Sequence, residues 1–255
     1  FIPNGYMSWA LNKDVYAGIG FGAPFGLVTE YDNPWLGGAQ ALKFDIKTYN
    51  INPSIALRAT ERVSIGAGIS IQRMEVEYSR LAAVVSPALA TTKATLSAGD
   101  TSWGWNVGAL FTLSPSTKGG VSYRSKIRHT LEGDLSVRGP AQGASAALTS
   151  GSAKAFVELP DTFILSVAQQ LNDKWEMLGD VSWTGWSSID KVDIVRTSGS
   201  LSGRTVQTLD TAFRDSWRYA LGANYRFSDT LKLKFGVAYD QTPVPDTAHR
   251  LVSLP

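Results

Sequence analysis

The feature that most constrains this chain is a short polar turn, flanked by alternating strand-like segments, that recurs five times. The turns are spaced by roughly 55 residues, and the Asn, Asp, Ser and Pro in them favour tight turns. Each turn therefore predicts a hairpin, which gives about ten strands in total. The five segments are "LNKDVYAGIGF" from Leu11, "ATERVSIGAGI" from Ala59, "LSPSTKGGVSY" from Leu113, "LNDKWEMLGDV" from Leu171 and "FSDTLKLKFGV" from Phe227.

Longer segments of a different composition separate the hairpins. They are rich in Gly, Ser, Ala, Thr and Pro, which is typical of long loops. Short turns at one end of the strands and long loops at the other are the asymmetry of an outer-membrane barrel. The predicted fold class is all-β, a transmembrane antiparallel up-and-down β-barrel. The predicted loops are residues 24–41, 82–99, 137–154, 197–211 and 241 to the end.

The strands alternate between an apolar face and a polar face. From Trp217 to Phe227 every second residue is aromatic or aliphatic, and Arg218 and Arg226 lie between them. Such a strand rises roughly 25 Å along the membrane normal at a tilt near 40°, which matches the apolar band of a barrel, and aromatic residues mark both of its ends. Lipid is therefore predicted to contact this face. The cations predicted to line a polar lumen are Arg124, Lys126, Arg128, Arg218, Arg226, Lys232 and Lys234.

Alternation alone also fits a lipocalin-like barrel or a sandwich, in which the apolar face turns inward to a core. The aromatic faces are too long and continuous for the compact core of a soluble chain, so the membrane interpretation is favoured.

Composition excludes other classes of protein. No stretch approaches the roughly 18 apolar residues of a spanning helix. The absence of cysteine excludes disulfides and thiolate metal sites, and a net charge of +2 with dispersed basic residues gives no indication of a nucleic-acid partner.

One strand-like segment, "VYAGIGFGAPF" from Val15, is interrupted by proline. Pro24 has no N–H for a β-ladder. Gly18, Gly20 and Gly22 share the lumen-facing parity and remove side chains there, so the wall can bend at little steric cost. The alternative is that these residues simply end a strand at a loop.

Catalytic and metal-binding motifs are not apparent in the sequence. Of the two histidines, His129 shares the parity of Val121 and Tyr123, which is predicted to face outward, and His249 lies in the terminal segment. Neither has a convincing nucleophile or acid as a partner. We therefore predict that the chain is not an enzyme and has no cofactor and no metal site.

Several motifs together resemble the FadL family of outer-membrane transporters for long-chain fatty acids and other hydrophobic compounds. They are "PNGYMSWALNKD", "FGLVTEYDNPWLGG", "TYNINPSIA", "VELPDTF" and, most specifically, "FRDSWRYALGANYRFSDTLKLKFGVAYDQTPVPDTAHRLVSLP". The resemblance implies a barrel of about 14 strands with an N-terminal hatch. Residues 1–255 are then expected to be a partial barrel domain, family strands two to eleven, without the hatch and without the last strands.

The resemblance also implies a function and a location. We expect passive uptake of a fatty acid or other hydrophobic small molecule by a multi-pass protein in the outer membrane of a Gram-negative bacterium. The expected surroundings are outer-membrane lipid and lipopolysaccharide, and the expected state is a monomer. A general diffusion porin or a structural barrel is the alternative left open.

Particular residues receive roles from the same resemblance. A kinked strand in the family is thought to let cargo leave sideways, and it corresponds to Gly18, Gly20, Gly22, Pro24 and Phe25 here. A cation that holds the carboxylate head aligns with Arg80, although a loop-base or lipopolysaccharide-binding role is the alternative. A second family lysine falls near Leu209, so Arg214, or otherwise Arg204, is expected to replace it. A capture groove is expected from Leu81, Val84, Val85 and Leu89, unless that loop packs on itself.

Overall fold

The computed structural model describes residues 3–32, 35–83 and 85–246, and almost all of its regular structure is β-strand. None of the helices among these residues is long and apolar enough to cross a membrane. The helical segments are 3-10 turns at Leu36–Ala39, Ala146–Leu148 and Trp186–Ser188, and one α-helical turn, α1 (Pro87–Ala90). The strands are β1 (Asn4–Ala10), β2 (Val15–Gly22), β3 (Gly26–Glu30), β4 (Lys43–Arg58), β5 (Val63–Leu81), β6 (Lys93–Ser114), β7 (Thr117–Arg124), β8 (Ile127–Arg138), β9 (Gly151–Leu159), β10 (Thr162–Gln170), β11 (Trp175–Thr184), β12 (Lys191–Arg196), β13 (Thr205–Asp210), β14 (Ser216–Arg226) and β15 (Lys232–Asp240).

Ten strands form one continuous antiparallel path in the order β1-β2-β4-β5-β6-β7-β10-β11-β14-β15. The five predicted hairpins are β1–β2, β4–β5, β6–β7, β10–β11 and β14–β15. The predicted all-β class and the number of about ten strands are therefore confirmed. Within the described residues, β1 and β15 each pair on one side only.

Side-chain hydrogen bonds to two backbone N–H groups close four of the five short turns. The Asn12 side chain accepts hydrogen bonds from the backbone N–H groups of Asp14 and Val15 at 2.9 Å, and Asn172 does the same for the amides two and three residues later. The hydroxyls of Thr60 and Ser228 make the equivalent pair of contacts. These polar residues mimic a backbone turn, which is why the turn chemistry alone locates the hairpins.

The predicted lipid-facing side chains point away from the interior. Trp217 is 41% exposed, Leu221 65% and Phe235 58%. Across β11–β14, Trp183 pairs with Trp217 near the long-loop end, and Trp175 pairs with Tyr225 near the short-turn end, their rings 4.6 Å apart. This face therefore has an aromatic group at each end with aliphatic residues between, as predicted.

On the long-loop side the sheet continues as a second tier, which consists of β3, β8, β9, β12 and β13 and the ends of the strands they pair with. There β3 pairs with β4, β8 with β6 and β9, and β12 with β9 and β13. The prediction of loops over all of 24–41, 82–99, 137–154 and 197–211 is therefore wrong in part, since β3 lies in the first of these segments and β6, β8, β9 and β13 extend into the others. The small residues that suggested loops are partly inward strand positions, such as Ala98 and Ala153, where close packing requires little volume.

A bulge between β7 and β8 reverses which side chains face inward. Asn106 and Gly99 are seven residues apart on β6, whereas their partners Arg124 and Glu132 are eight apart. The extra residue exchanges the two faces beyond Ser125. The predicted outward position of His129 is therefore wrong, since it is buried, and the predicted lumenal position of Lys126 and Arg128 is wrong, because both pair with Glu158 on the outer face.

Candidate substrate-binding site

The broken strand at Pro24 is joined to its neighbour by a side chain. Gly22 pairs with Asn50 and Gly26 pairs with Lys47, so one residue more lies on the β2–β3 side than on β4. In the gap the Phe25 N–H donates to Thr48 Oγ1 at 3.0 Å, and the Thr48 hydroxyl donates to the Phe25 carbonyl oxygen. The Thr48 hydroxyl thus replaces part of the ladder that proline interrupts.

This second bulge also exchanges the faces of the strand. Ile19 and Phe21 of β2 are exposed on the outer surface, whereas Phe25 and Leu27 line an interior cavity. The Phe25 ring meets Trp186 edge-to-face with centroids 6.1 Å apart. The strand that contributes to the outer wall below Pro24 therefore contributes to the cavity wall above it.

The cavity lies inside the second tier and has a volume of about 510 Å³. This volume is within the usual range for small-molecule sites, and the lining is almost entirely aliphatic and aromatic. The lining side chains come from many strands, so no single segment of sequence defines the cavity. They include Phe44 and Ile46 of β4, Met74 and Val76 of β5, Leu96 and Ala98 of β6, Leu131 of β8, Val157 and Leu159 of β9, Ile194 of β12 and Leu209 of β13.

The polar group of Tyr78 in this cavity is satisfied by the protein. Its hydroxyl donates to the Gln40 carbonyl oxygen. Burial raises the pKa of the Tyr78 phenol, although Arg80 opposes this effect, so the side chain is neutral at physiological pH. Tyr78 lies well beyond the apolar band on the long-loop side. An apolar ligand therefore meets no unpaired charge at this position.

A second, smaller cavity of about 270 Å³ adjoins the first and shares Tyr78, Leu96 and Ile194 with it. Arg80 and Arg204 line this second cavity. Among the described residues, the arginines with a carboxylate partner are Arg73, Arg128 and Arg218, so neither cavity arginine is neutralised by an acid there. Two cations thus lie beside an apolar chamber, which is an arrangement complementary to an amphiphilic anion.

Arg214 lies in a different place from Arg80. Its side chain is exposed and donates from Nη2 to the Pro245 carbonyl oxygen at 2.8 Å, while its backbone N–H donates to Pro243 at 2.9 Å. Pro243 and Val244 line the apolar cavity. Arg214 therefore holds a wall segment, and the structure brings Arg80 together with Arg204, the alternative second cation.

Gly18, Gly20 and Gly22 face a pocket of about 450 Å³ on the short-turn side of Pro24, which Arg124 also lines. A Cβ atom at Gly20 would lie 3.2 Å from the Tyr6 ring, whereas one at Gly22 would have no atom closer than 3.8 Å. The three glycines therefore contribute no side chain of their own to the inner wall below the break, and the neighbouring Tyr6 and Ser54 line it instead.

The residues predicted to form a capture groove are not all at the surface. Leu81 is buried next to Gly38, whereas Val85 is 84% exposed and Leu89 is half-buried. Val84 lies outside the described residues. A groove shared by these positions stays a prediction.

A comparison with known families now places the chain. The family described as outer membrane protein transport protein (OMPP1/FadL/TodX) matches residues 1–255. The chain belongs to this family. It is a family of transport proteins rather than enzymes, and the predicted family and outer-membrane location are thereby confirmed.

Curated relatives and solved structures agree with this assignment. The long-chain fatty acid transport protein of Salmonella typhi is 26% identical over 280 residues, and the 47 kDa outer membrane protein of Pasteurella multocida is 28% identical over 278. Each alignment covers 100% of this chain and 63% of the relative, so the chain spans less than two thirds of their length.

Two solved structures share the fold. A Pseudomonas aeruginosa FadL homologue has a TM-score of 0.85 and 25% identity, covering 94% of this chain and 60% of that one. The Ralstonia pickettii toluene transporter TbuX has a TM-score of 0.73 and 15% identity, covering 94% of this chain and 69% of that one, and at this identity it supports the fold alone.

The sequence alone did not indicate the apolar cavity or the inward position of His129. The apolar residues of "IRHTLEGDLSVR" keep the odd-numbered parity of Val121 and Tyr123, so the alternation carries no sign of the bulge near Ser125. The exchange of faces is visible only in the register of the strands, where Asn106 pairs with Arg124 and Gly99 with Glu132.

Proposed function

We propose that this chain forms the wall and the binding cavity of a transporter that takes up long-chain fatty acids or other hydrophobic compounds passively across the outer membrane. The observation that carries this proposal is an apolar cavity of about 510 Å³ bounded by Phe25 and Leu27, directly beyond the break at Pro24. A relative named for long-chain fatty acid transport supports the same substrate class.

The two cavities suggest separate roles for the two ends of a fatty acid. An alkyl tail in the first cavity gains about 0.8 kcal/mol for each buried methylene group, before the costs of ordering. The head is held by Arg80 and Arg204, since charge-assisted hydrogen bonds from guanidinium to carboxylate are among the stronger polar contacts. A neutral hydrocarbon needs only the first cavity.

The exit in this proposal is sideways, at the break of Ala23, Pro24 and Phe25. The ladder there is replaced by one hydroxyl, and the three glycines below it add no side chains to the inner wall. Cargo then reaches the outer leaflet without crossing the aqueous periplasm. Val85 and Leu89 would make the first contact outside, within a monomer surrounded by lipid and lipopolysaccharide.

We also propose that the ten-stranded path corresponds to family strands two to eleven of a barrel of about 14 strands. A general diffusion porin remains the second candidate. It is distinguished by the cargo, because a porin passes small polar solutes in proportion to their size.

The test compares two assays on the full-length gene product. Cells that express it should accumulate radiolabelled fatty acid or alkylbenzene faster than cells with an empty vector. Liposomes that contain the purified protein should show no swelling in sugar solutions. Sugar-dependent swelling without hydrophobic uptake would reject the transporter in favour of the porin.

A further inference from the structure

The cavity has a polar floor, and this inference rests on the transport function proposed above. We infer that a buried layer of Thr48, Asn50, Gln72 and His129 stops hydrophobic cargo from moving down the barrel and directs it toward the break at Pro24. Asp100 completes the layer by its contact with His129.

The layer follows the cavity lining directly along the strands. Ile46, Met74, Ala98 and Leu131 line the cavity. The next inward positions toward the short-turn end are two residues away on each strand, since side chains alternate between the faces of a sheet. Those positions are Thr48 on β4, Gln72 on β5, Asp100 on β6 and His129 on β8, and Asn50 is the Cα partner of Gln72. The lining therefore changes from apolar to polar within one step on four neighbouring strands.

The four side chains are buried, and two of them, Gln72 and His129, are hydrogen-bonded in one network with Asp100. Thr48, Gln72 and His129 are each 1% exposed, and Asn50 is 5% exposed. His129 Nδ1 lies 3.0 Å from Asp100 Oδ2 and its Nε2 lies 3.1 Å from Gln72 Oε1. The Thr130 N–H donates to the same Asp100 oxygen at 3.2 Å. The network is fixed to the backbone, so cargo cannot displace it without breaking hydrogen bonds.

Two atoms of the layer lack a hydrogen-bond partner among the described residues, namely Gln72 Nε2 and Asn50 Oδ1. An alkyl chain pressed against such atoms offers them nothing in place of water or a polar partner, which is unfavourable. The polar row beyond the layer, where Asn52 Nδ2 donates to Asn106 Oδ1 at 2.7 Å, is equally unsuited to hydrocarbon.

The layer ends at the opening itself. Thr48, its member nearest to β3, is the residue that binds both backbone groups of Phe25 across the break. Cargo that lies on the floor therefore contacts Phe25 and Leu27 at one side, where the wall is interrupted, and meets the polar side chains of β4, β5, β6 and β8 below. The easier direction is sideways.

The test uses the fact that the chain contains no cysteine. Ala98→Cys reports from the cavity, and Ser122→Cys reports from the exposed lumen-parity position below the floor. Each is introduced into the full-length protein and treated with N-dodecylmaleimide or with a small hydrophilic maleimide. Peptide mass spectrometry measures the labelling, and the ratio of the two reagents corrects for thiol reactivity.

With the natural floor, the dodecyl reagent should label Ala98→Cys at least about tenfold faster than Ser122→Cys, after this correction. In a Gln72→Leu, His129→Phe background the labelling of Ser122→Cys should rise by at least about tenfold. Asn224→Leu is the matched control, because it removes a buried inward amide that contacts Glu176 far from the floor, and it should leave both rates unchanged.

Each outcome bears on one of the two proposals. No labelling of Ala98→Cys by the dodecyl reagent would reject the cavity as the binding site, and with it the transport proposal. Labelling of Ala98→Cys with no increase at Ser122→Cys in the floor variant would reject the floor alone. If the double variant does not fold, equal labelling of the two cysteines in the natural background is the result that overturns the inference.

Discussion

Thr48 shows how much depends on one hydroxyl group. The group is buried, it accepts the Phe25 N–H and it donates to the Phe25 carbonyl oxygen. Proline cannot supply a ladder contact at position 24, and a backbone left unpaired in a buried wall is unfavourable. Thr48 therefore allows the wall to be interrupted without leaving the Phe25 backbone unsatisfied.

Replacing Thr48 with Val keeps the shape of the side chain and removes both hydrogen bonds. We expect a loss of about 1–3 kcal/mol, because two buried backbone groups lose their partner. The measurement is the temperature at which the folded band of the barrel disappears in unheated-sample electrophoresis. Thr101→Val, on the exposed outer face of β6, is the control, and equal midpoints for the two variants would contradict the role of Thr48.

Arg80 and Arg204 define a second prediction at the residue scale. Arg80→Gln should weaken fatty acid binding about 10- to 100-fold, the equivalent of one charge-assisted contact, and change the binding of a neutral alkylbenzene less than about twofold. Arg204→Gln should act in the same direction.

Arg214→Gln is the comparison for both, since its side chain binds the Pro245 carbonyl outside the second cavity. Any effect it has through the wall of the first cavity should be the same for the fatty acid and for the neutral alkylbenzene. The measurement is displacement of a fluorescent fatty acid from the purified protein. A larger loss for Arg214→Gln than for Arg80→Gln would locate the head group elsewhere.

At the scale of the strand, the two bulges have the same effect. Between β2 and β3, and again between β7 and β8, one extra residue exchanges the inner and outer faces. Phe25 and His129 thereby enter the interior. Both changes occur where the ten-stranded path meets the second tier, so the bulges mark the boundary between the membrane wall and the cavity.

Gly22 offers a test of the strand break. Gly22→Val places a branched side chain in the pocket below Pro24, where the nearest atom to a new Cβ is 3.8 Å away, so the barrel should fold normally. Hydrophobic uptake should fall several-fold, because the new side chain occupies part of the pocket below the break. Adding Gly20→Val brings a contact with the Tyr6 ring at 3.2 Å and should lower uptake further.

Gly5→Val is the matched control for these changes. It lies on the neighbouring strand β1 and has no atom within 4 Å of a new Cβ. Uptake of radiolabelled fatty acid should be unchanged in this variant. Uptake that is equally unchanged in the Gly22→Val variant would count against the lateral route.

The sequence identified the hairpins but not the faces beyond the bulges. Turn chemistry is local, so Asn12 and Asn172 locate their hairpins without any knowledge of the rest of the chain. Whether a side chain faces inward or outward depends on the number of residues before it along the strand. A single extra residue near Ser125 therefore reverses the facing of His129 and Arg128. The cavity could not be predicted from the sequence for another reason: its lining combines residues that are far apart in the sequence, such as Leu27 and Leu209.

At the scale of the whole molecule, the ten-stranded path and the second tier have different roles. The ten-stranded path presents an apolar exterior with aromatic residues at both ends to lipid. The second tier encloses an apolar cavity that does not face lipid. Apolar residues thus face lipid on the ten-stranded path and line the cavity in the second tier, and the bulges lie where one arrangement changes to the other. Every proposed route for cargo passes through the upper cavity.

Filling this cavity should therefore block all hydrophobic cargo. Ala155→Trp adds a large ring to a buried lining position, and uptake of fatty acid and alkylbenzene should both fall by about tenfold or more. Ala67→Trp, on the outward parity of β5, is the control and should have no effect. Loss of fatty acid uptake alone would show that neutral cargo takes another path.

The side-chain closure of the turns has a consequence for assembly. The polar residue in each of these turns fixes the strand register of its own hairpin, and this does not depend on strands that are synthesised later. Pairing between sequence neighbours has a small entropy of loop closure and is kinetically favoured. Hairpins are thus the natural building units of this sheet, and the slow steps in its formation are those that join one hairpin to the next, as where β7 meets β10.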